Sequence, residues 1–243
     1  GAYGGLGKAL ATQFAKNGYD LVLTGRNSEK LNNLVSSFQS TDVSVVGITC
    51  DVSNIEDCKI LANKVKGSIS TLIHNAGISY IKELNNEYDL NKFDQIISTN
   101  LNGNIYLTQL LIDDLTAKKG SIVVVSSVVG FAPVIGRSAY AASKFGLDGF
   151  YKVLDAELNG KAHILMVYPT FIKTGIRENA KADQTVNEIL SPESVALSIF
   201  LGLKKKKSSL FLGKTSKLAY YSYKYLPSLY IRLMRNKMKN HGK

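Results

Sequence analysis

Three side chains are suited to proton transfer: the hydroxyl of Ser127, the phenol of Tyr140 and the amine of Lys144. Tyr140 and Lys144 fall in a segment with helical character, AYAASKFGLDGFYKVLDAEL, where residues four apart share one face. An ammonium beside a phenol favours the phenolate and lowers its pKa towards the range of a general acid/base. Ser127 ends the strand-like run SIVVVSS, from which its hydroxyl could donate to a carbonyl oxygen. A Tyr and a Lys at this spacing alone are usually two surface residues, whereas all three together indicate a site.

The runs SIVVVSSVVG and YAASKFGLDGF, in this order, resemble the active-site signature of the short-chain dehydrogenase/reductase family. The resemblance implies that Tyr140 donates or accepts the proton and that Ser127 polarises the substrate carbonyl. It also implies that Lys144 lowers the pKa of Tyr140 and holds the nicotinamide ribose.

Asn100 lies in STNLNGN, inside a segment whose apolar spacing predicts helix over residues 86–118. Asparagine is unfavourable inside a helix because its amide competes with the backbone, so we expect a buried local break there. The family resemblance implies that Asn100 is a fourth catalytic residue, whose carbonyl helps to anchor a water linked to Lys144.

The chain opens on a glycine-rich turn followed by helical periodicity. Gly1, Gly5 and Gly7 form the pattern G-x-x-x-G-x-G, which lets backbone N–H groups and a helix N-terminus approach a pyrophosphate. It matches the glycine motif of the same family, although a simple glycine turn is the alternative. The resemblance adds Tyr3 and Leu6 to the cofactor-binding residues. It also predicts a central strand upstream of Gly1.

The strand-like run DLVLTGRN predicts the choice of cofactor. In nucleotide-binding folds an acid near this strand end binds the ribose 2′-hydroxyl, whereas a nearby Arg accommodates a 2′-phosphate. Gly25 stands where the family's NAD-dependent members have the acid, and Arg26 and Asn27 follow it. The sequence therefore predicts NADP(H) rather than NAD(H), the alternative being an exposed Arg that caps the strand.

Ser28 is predicted to cap the next helix, which extends to Phe38.

The resemblance assigns further positions around the cofactor. Asp51 and Val52 correspond to the pair beside the adenine ring, although Asp51 could instead cap the helix that starts near Ile55. Residues 74–77, HNAG, correspond to the family's NNAG beside the cofactor. The matching residues are Asn75, Ala76 and Gly77. Thr174 corresponds to the residue that contacts the nicotinamide carboxamide or the phosphates. An apolar pocket mouth is predicted from Val129, Phe131, Val134 and Phe171.

Length and composition indicate one domain with a basic C-terminal extension. The 243 residues suit a single α/β domain, and alternating strands and helices predict a Rossmann-like, doubly wound parallel sheet. We place the catalytic domain at residues 1–213 and a helical tail at residues 214–243. Two cysteines provide neither a disulfide framework nor a metal-binding spacing, which fits a cytoplasmic protein without a metal. No apolar run reaches the roughly 18 residues of a membrane span.

The basic excess lies in the tail. Residues 204–243 contain twelve Lys and Arg and no acidic residue, while residues 1–203 carry 18 basic and 19 acidic groups. Helical spacing from Leu226 places Leu229, Tyr230, Leu233 and Met234 on one face. This pattern fits an interfacial helix on an anionic membrane, and equally a helix packed on the body or on a partner subunit. Nucleic acid is not predicted, since no reader motif accompanies the charge.

Taken together, the motifs predict an NADPH-dependent carbonyl reductase or alcohol dehydrogenase. Its substrate would be an apolar carbonyl or alcohol of lipid, steroid-like or aromatic type. The family resemblance also implies a homo-oligomer, either a dimer or a tetramer. The alternative is a non-catalytic NADP-binding or membrane-associated scaffold on the same fold, because fold does not fix function.

Overall fold

A computed structural model of the protein describes residues 1–173 and 189–239. The helices are α1 (Gly5–Ala15), α2 (Ser28–Ser36), α3 (Ile55–Val65), α4 (Leu90–Ile97), α5 (Gly103–Ala117), α6 (Ser138–Leu158), α7 (Pro192–Lys204), α8 (Lys214–Tyr225) and α9 (Pro227–Lys239). The strands are β1 (Leu21–Gly25), β2 (Val45–Thr49), β3 (Thr71–His74), β4 (Ser121–Val125), β5 (His163–Pro169), β6 (Phe171–Ile172), β7 (Ile189–Leu190) and β8 (Ser209–Leu212). This alternation is the α/β arrangement that the sequence predicts.

The larger sheet of the described chain is parallel and covered by helices on both faces, as expected for a Rossmann-like fold. Its strand order is β3-β4-β5-β8. Successive side chains of a strand point to opposite faces, so Ile122 and Val124 pack towards α5 and α6. Val123 packs towards α1 and α7 on the other face. All three are fully buried, which explains why β4 has an unbroken apolar sequence.

β1 and β2 form a separate parallel pair. A cleft of about 400 Å³ lies between β1 and β3, and residues 21–24 and 71–74 line its two sides. Among the described residues, no strand pairs with either of these edges. The central strand that the family resemblance implies stays a prediction.

Helix starts follow short polar caps, one of which the sequence analysis placed wrongly. Ser28 is the first residue of α2 rather than its cap, because the Asn27 side chain accepts from the Lys30 N–H at 2.8 Å. Asn54 caps α3, so the alternative of Asp51 as the cap is excluded. Ser191 caps α7 and Pro192 follows as its first residue.

The helix predicted over residues 86–118 is divided by a π-helical turn, Ser98–Asn102. Asn100 lies at its centre with no exposed surface, which confirms the predicted buried break. A π-helical turn widens the helix locally and frees side chains and carbonyls to bond elsewhere, and such turns are frequent at functional sites.

The chain continues from β8 directly into α8, and Pro227 begins α9 after a one-residue connection at Leu226. Phe171 and Ile172 pair in parallel with Ile189 and Leu190, a short sheet that the sequence analysis did not predict. Within residues 1–173 and 189–239, none of the helices combines the length and apolar character needed to cross a bilayer.

Candidate active site

A cavity of about 580 Å³ lies at the carboxyl ends of β1, β2 and β3. Open parallel sheets bind ligands at this edge because several loops converge there. Most residues predicted to bind the adenosine and phosphate part of the cofactor line the cavity: Gly1, Tyr3, Gly5, Leu6, Gly7, Arg26, Asp51, Val52, Asn75, Ala76 and Gly77. Other lining residues were not predicted: Gly4, Gly25, Lys30, Cys50, Ile78 and Thr99.

The glycine turn at the cavity is packed so closely that larger residues would not fit. A Cβ on Gly7 would lie 2.2 Å from the carbonyl oxygen of Gly1. The amide of Asn75 donates to the same oxygen at 3.1 Å, which ties the turn to the loop after β3. Gly4 and Gly5 are exposed at the N-terminus of α1, where backbone N–H groups and the positive end of the helix favour a phosphate.

The end of β1 presents positive charge to the cavity. Arg26 is exposed and its Nη1 lies 3.9 Å from Oδ2 of Asp51, which is a weak contact at the surface. Lys30 reaches the same cavity from the first turn of α2. Lys30 was not predicted to line the site, although its position four residues after Arg26 is a usable signal. Asn27 caps α2 and lies outside the cavity lining, and its N–H donates to the Tyr3 hydroxyl at 3.1 Å.

Lys144 lies buried beneath Tyr140 at the end of β4. Its Nζ is 5.6 Å from the centroid of the Tyr140 ring and donates to the carbonyl oxygen of Val125 at 2.9 Å. Burial lowers the pKa of Lys144 from 10.5 to about 8. Ser127 follows two residues after Val125 and is buried, and the Val129 N–H donates to its Oγ at 3.3 Å. The three predicted residues therefore converge at the carboxyl end of β4.

Asn100 connects the carboxyl end of β4 and helix α6 to the loop after β3. Its Oδ1 accepts from the Ile78 N–H at 2.8 Å, and its Nδ2 donates to the Ile78 carbonyl at 2.9 Å. The same Nδ2 donates to Oγ of Ser143 at 3.2 Å. Because Ser143 precedes Lys144 and itself donates to the Tyr140 carbonyl, Asn100 holds α6 against the cofactor-side loop.

A buried chain of hydrogen bonds extends from Asn100 below the site. Nδ2 of Asn104 donates to the Asn100 carbonyl at 2.8 Å, and the Tyr151 hydroxyl donates to the Asn104 carbonyl at 3.3 Å. Thr108 Oγ1 lies 2.7 Å from the Tyr151 hydroxyl and 2.8 Å from Nε2 of His74. Burial, with a smaller contribution from the Lys144 charge, lowers the pKa of His74 to about 3, so its ring is neutral. Buried, neutral and hydrogen-bonded to Thr108, His74 has a structural role at the end of β3.

We expect Tyr151→Phe to lower the free energy of unfolding by about 1–2 kcal/mol, because the ring fits but Thr108 and Asn104 lose a buried partner. Denaturant unfolding would measure the change. Tyr221→Phe is the matched control and should have no effect, since Tyr221 is exposed on α8. Equal stability of the two variants would show that this hydrogen-bond chain contributes nothing.

The residues predicted at the pocket mouth have different environments. The prediction that Phe131 lies at the pocket mouth is wrong. Its ring packs with those of Tyr168, Tyr220 and Phe211, at centroid distances of 5.2, 5.1 and 5.7 Å. Val129 is buried, while Val134 and Phe171 are partly exposed. Thr174, which was predicted to contact the nicotinamide carboxamide or the phosphates, lies outside the described residues.

The pattern of the family described as short chain dehydrogenase matches residues 1–185 of the chain. The chain belongs to the short-chain dehydrogenase/reductase family. Dehydrogenase/reductase SDR family member 7B of Xenopus tropicalis is 31% identical over 265 residues, which cover 100% of this chain and 85% of that one. The 11-beta-hydroxysteroid dehydrogenase-like 2 protein of Arabidopsis thaliana is 31% identical over 210 residues, 84% of this chain and 68% of that one.

Solved structures of this family resemble the fold closely. A short-chain dehydrogenase from Sphingobium yanoikuyae in complex with NADPH gives a TM-score of 0.79 at 26% identity, covering 86% of this chain and 84% of that one. An alcohol dehydrogenase from Thermococcus sibiricus complexed with 5-hydroxy-NADP gives the same TM-score at 25% identity, covering 86% and 92%. A short-chain dehydrogenase from Streptomyces avermitilis gives 0.82 at 24% identity, covering 100% and 96%, and supports the fold alone. The protein is thus an oxidoreductase of the short-chain family.

Proposed function

We propose that the protein is an NADPH-dependent oxidoreductase that interconverts a carbonyl compound and an alcohol. The observation that carries the proposal is the buried Lys144 ammonium beneath the Tyr140 ring, at the strand end that also bears Ser127. A buried lysine is costly, so its presence beside a phenol at a ligand-binding edge supports a chemical rather than a structural role.

In this proposal Tyr140 transfers the proton, Ser127 polarises the carbonyl oxygen and Lys144 supplies positive charge. The hydrogen bond found for Ser127 Oγ in the described chain uses the oxygen as an acceptor, which leaves the hydroxyl proton available to a substrate. A donor already aimed at the oxygen stabilises the negative charge that develops there. Asn100 acts with Lys144, since it fixes the helix that carries both Tyr140 and Lys144.

A dinucleotide fits the residues present. The glycine turn is too tight for a Cβ at Gly7, and the exposed backbone before α1 suits a pyrophosphate. Asp51, Val52 and the segment 75–77 line the cavity and would border the adenine end. When bound, the nicotinamide supplies or accepts the hydride. Tyr140 and Lys144 would contact its ribose, and Thr174 its carboxamide or phosphates.

Preference for NADP(H) over NAD(H) rests on charge at the end of β1. Arg26 and Lys30 share the cavity there, and Gly25 occupies the position of the family's NAD-selecting acid. A guanidinium binds a phosphate through charge-assisted hydrogen bonds, whereas a carboxylate would repel it.

We therefore expect Arg26→Ala to weaken NADPH binding about ten- to a hundredfold while changing NADH binding little, because one phosphate contact is lost. Titration of both cofactors measures the ratio. Lys64→Ala, which removes an exposed lysine on α3, is the control and should change neither. Native protein that preferred NADH would contradict this interpretation. Gly25→Asp is a poorer test, because a Cβ there would lie 2.3 Å from the Tyr3 ring and displace it.

We propose an apolar substrate of lipid or steroid-like type. Val134 and Phe171, two of the residues predicted at the pocket mouth, are apolar and partly exposed, and one relative is named 11-beta-hydroxysteroid dehydrogenase-like 2. A panel of steroid, fatty-chain and aromatic ketones and aldehydes, followed by NADPH absorbance, tests both reaction and substrate class. Tight NADPH binding without turnover of any member would favour the non-catalytic alternative.

A further inference from the structure

The two C-terminal helices are fixed to the body of the protein through one side only. Ala219, Tyr220, Tyr223 and Tyr230 pack against the main hydrophobic core. Ser216 at the start of α8 is fully buried and donates to the Tyr168 carbonyl at 2.8 Å. Tyr223 and Tyr230 meet edge to face at 5.5 Å, which joins α9 to α8. The pair is therefore held in one place and presents a defined outer face.

That outer face is apolar along both helices. It comprises Leu218, Tyr221, Tyr225, Leu226, Leu229 and Leu233, which are all exposed. Leu218 and Leu233 are 66% and 60% exposed, as much as a polar surface residue. The spacing of three or four residues along each helix gives a stripe, and Leu226 continues it across the connection. Monomeric proteins seldom leave such a stripe uncovered, so it indicates an interaction surface.

The same face is strongly basic. Lys214, Lys217, Lys224, Arg232 and Arg235 are exposed among the apolar residues, and residues 204–243 contain no acid. Nζ of Lys224 lies 5.6 and 5.5 Å from the ring centroids of Tyr220 and Tyr225, so cation and aromatic rings are interleaved. The complementary partner must therefore offer negative charge and an apolar layer together.

We infer that this outer face binds an anionic lipid surface, with the leucines inserted at the headgroup boundary. Leucine, tyrosine and lysine at these positions match an interfacial helix, because tyrosine favours the headgroup level and long basic side chains reach the phosphates. A second copy of the chain is disfavoured by repulsion between two like-charged faces. An acidic protein is disfavoured because protein interfaces are depleted in lysine, and three of the five cations here are lysines.

The test is co-sedimentation of the full chain with vesicles of phosphatidylcholine alone and of phosphatidylcholine and phosphatidylserine in a two-to-one ratio. We expect binding to the anionic vesicles only, and release as salt screens the charges. Deletion of residues 215–243 is unsuitable, since it would uncover the core beneath Tyr220 and Tyr223. Equal binding to both vesicle types, or to neither, would overturn the inference.

The charge contribution has a matched control within the chain. We expect Lys217→Gln, Lys224→Gln and Arg232→Gln together to weaken anionic vesicle binding on the order of a hundredfold. A triple Gln variant at Lys205, Lys206 and Lys207 removes the same charge at the opposite end of β8, about 13 Å along the strand. This control should retain most of the binding. An equal loss in both triple variants would show attraction by net charge rather than by this face.

The apolar contribution is tested with Leu218→Gln and Leu233→Gln, which should weaken binding by about tenfold or more at constant charge. Ile60→Gln, at an exposed apolar residue of α3, should leave it unchanged. Circular dichroism must show that each variant is folded. Undiminished binding of the leucine variants would reject insertion. Because these measurements involve no turnover, the inference stands or falls independently of the proposed reaction.

Discussion

Tyr140→Phe should lower turnover by at least about a hundredfold while NADPH affinity stays within a few-fold of the native value. The substitution keeps the ring that lies over Lys144 but removes the hydroxyl proton that Tyr140 transfers in our proposal. Lys144 remains bonded to the Val125 carbonyl, so the local structure should persist. Steady-state turnover on any accepted substrate and a fluorescence titration of NADPH together separate chemistry from binding.

Tyr19→Phe provides the control for this experiment. Tyr19 lies beyond the end of α1, where it packs edge to face on Phe14 at 5.1 Å and is remote from α6. Its loss should leave turnover unchanged. Near-native turnover of Tyr140→Phe would reject the catalytic assignment, and a parallel loss of NADPH binding would show that the hydroxyl acts in binding.

The sequence predicted those features that depend on residues near each other along the chain. The contact between Tyr140 and Lys144 follows from helical spacing alone, and the alternation of apolar runs with glycine turns fixes the order of strands and helices. The break around Asn100 could also be predicted, because an amide inside an apolar helix conflicts with local preference. Its partners could not, since Ile78 and Ser143 are 22 and 43 residues away.

Features that depend on how distant elements pack could not be predicted from the sequence. Phe131 was expected at an apolar pocket mouth, yet α8 and β8 bring Tyr220 and Phe211 against its ring. The apolar face predicted for α9 is divided: Tyr230 packs inward, whereas Leu229 and Leu233 are exposed. Helical spacing shows that such residues lie near one another on the helix, but only the position of the body decides which are covered.

Lys144→Met should abolish most turnover and at the same time make the protein more stable at neutral pH. Met has a similar stem without the charge, so the effect on Tyr140 and the ribose contact that we propose for Lys144 would both be lost. The gain in stability follows from the pKa of Lys144, which burial lowers from 10.5 to about 8. Below pH 8 both folded and unfolded chains hold the proton, and the buried charge costs about 3 kcal/mol. The bond to the Val125 carbonyl is lost in the variant and offsets part of this gain.

This stability difference should depend on pH with a defined sign. Between pH 8 and 10.5 the folded protein releases the proton while the unfolded chain keeps it, so native stability rises towards that of the variant. Denaturant unfolding at pH 7 and pH 10 should thus show a large difference and then a small one. Lys152→Met, at an exposed lysine on α6 paired with Asp148, should alter neither stability nor turnover appreciably. A Lys144→Met protein that is less stable at pH 7 would mean that the desolvation cost of the ammonium does not exceed the contribution of its bond to the Val125 carbonyl. An equal change at both pH values would contradict the lowered pKa of Lys144.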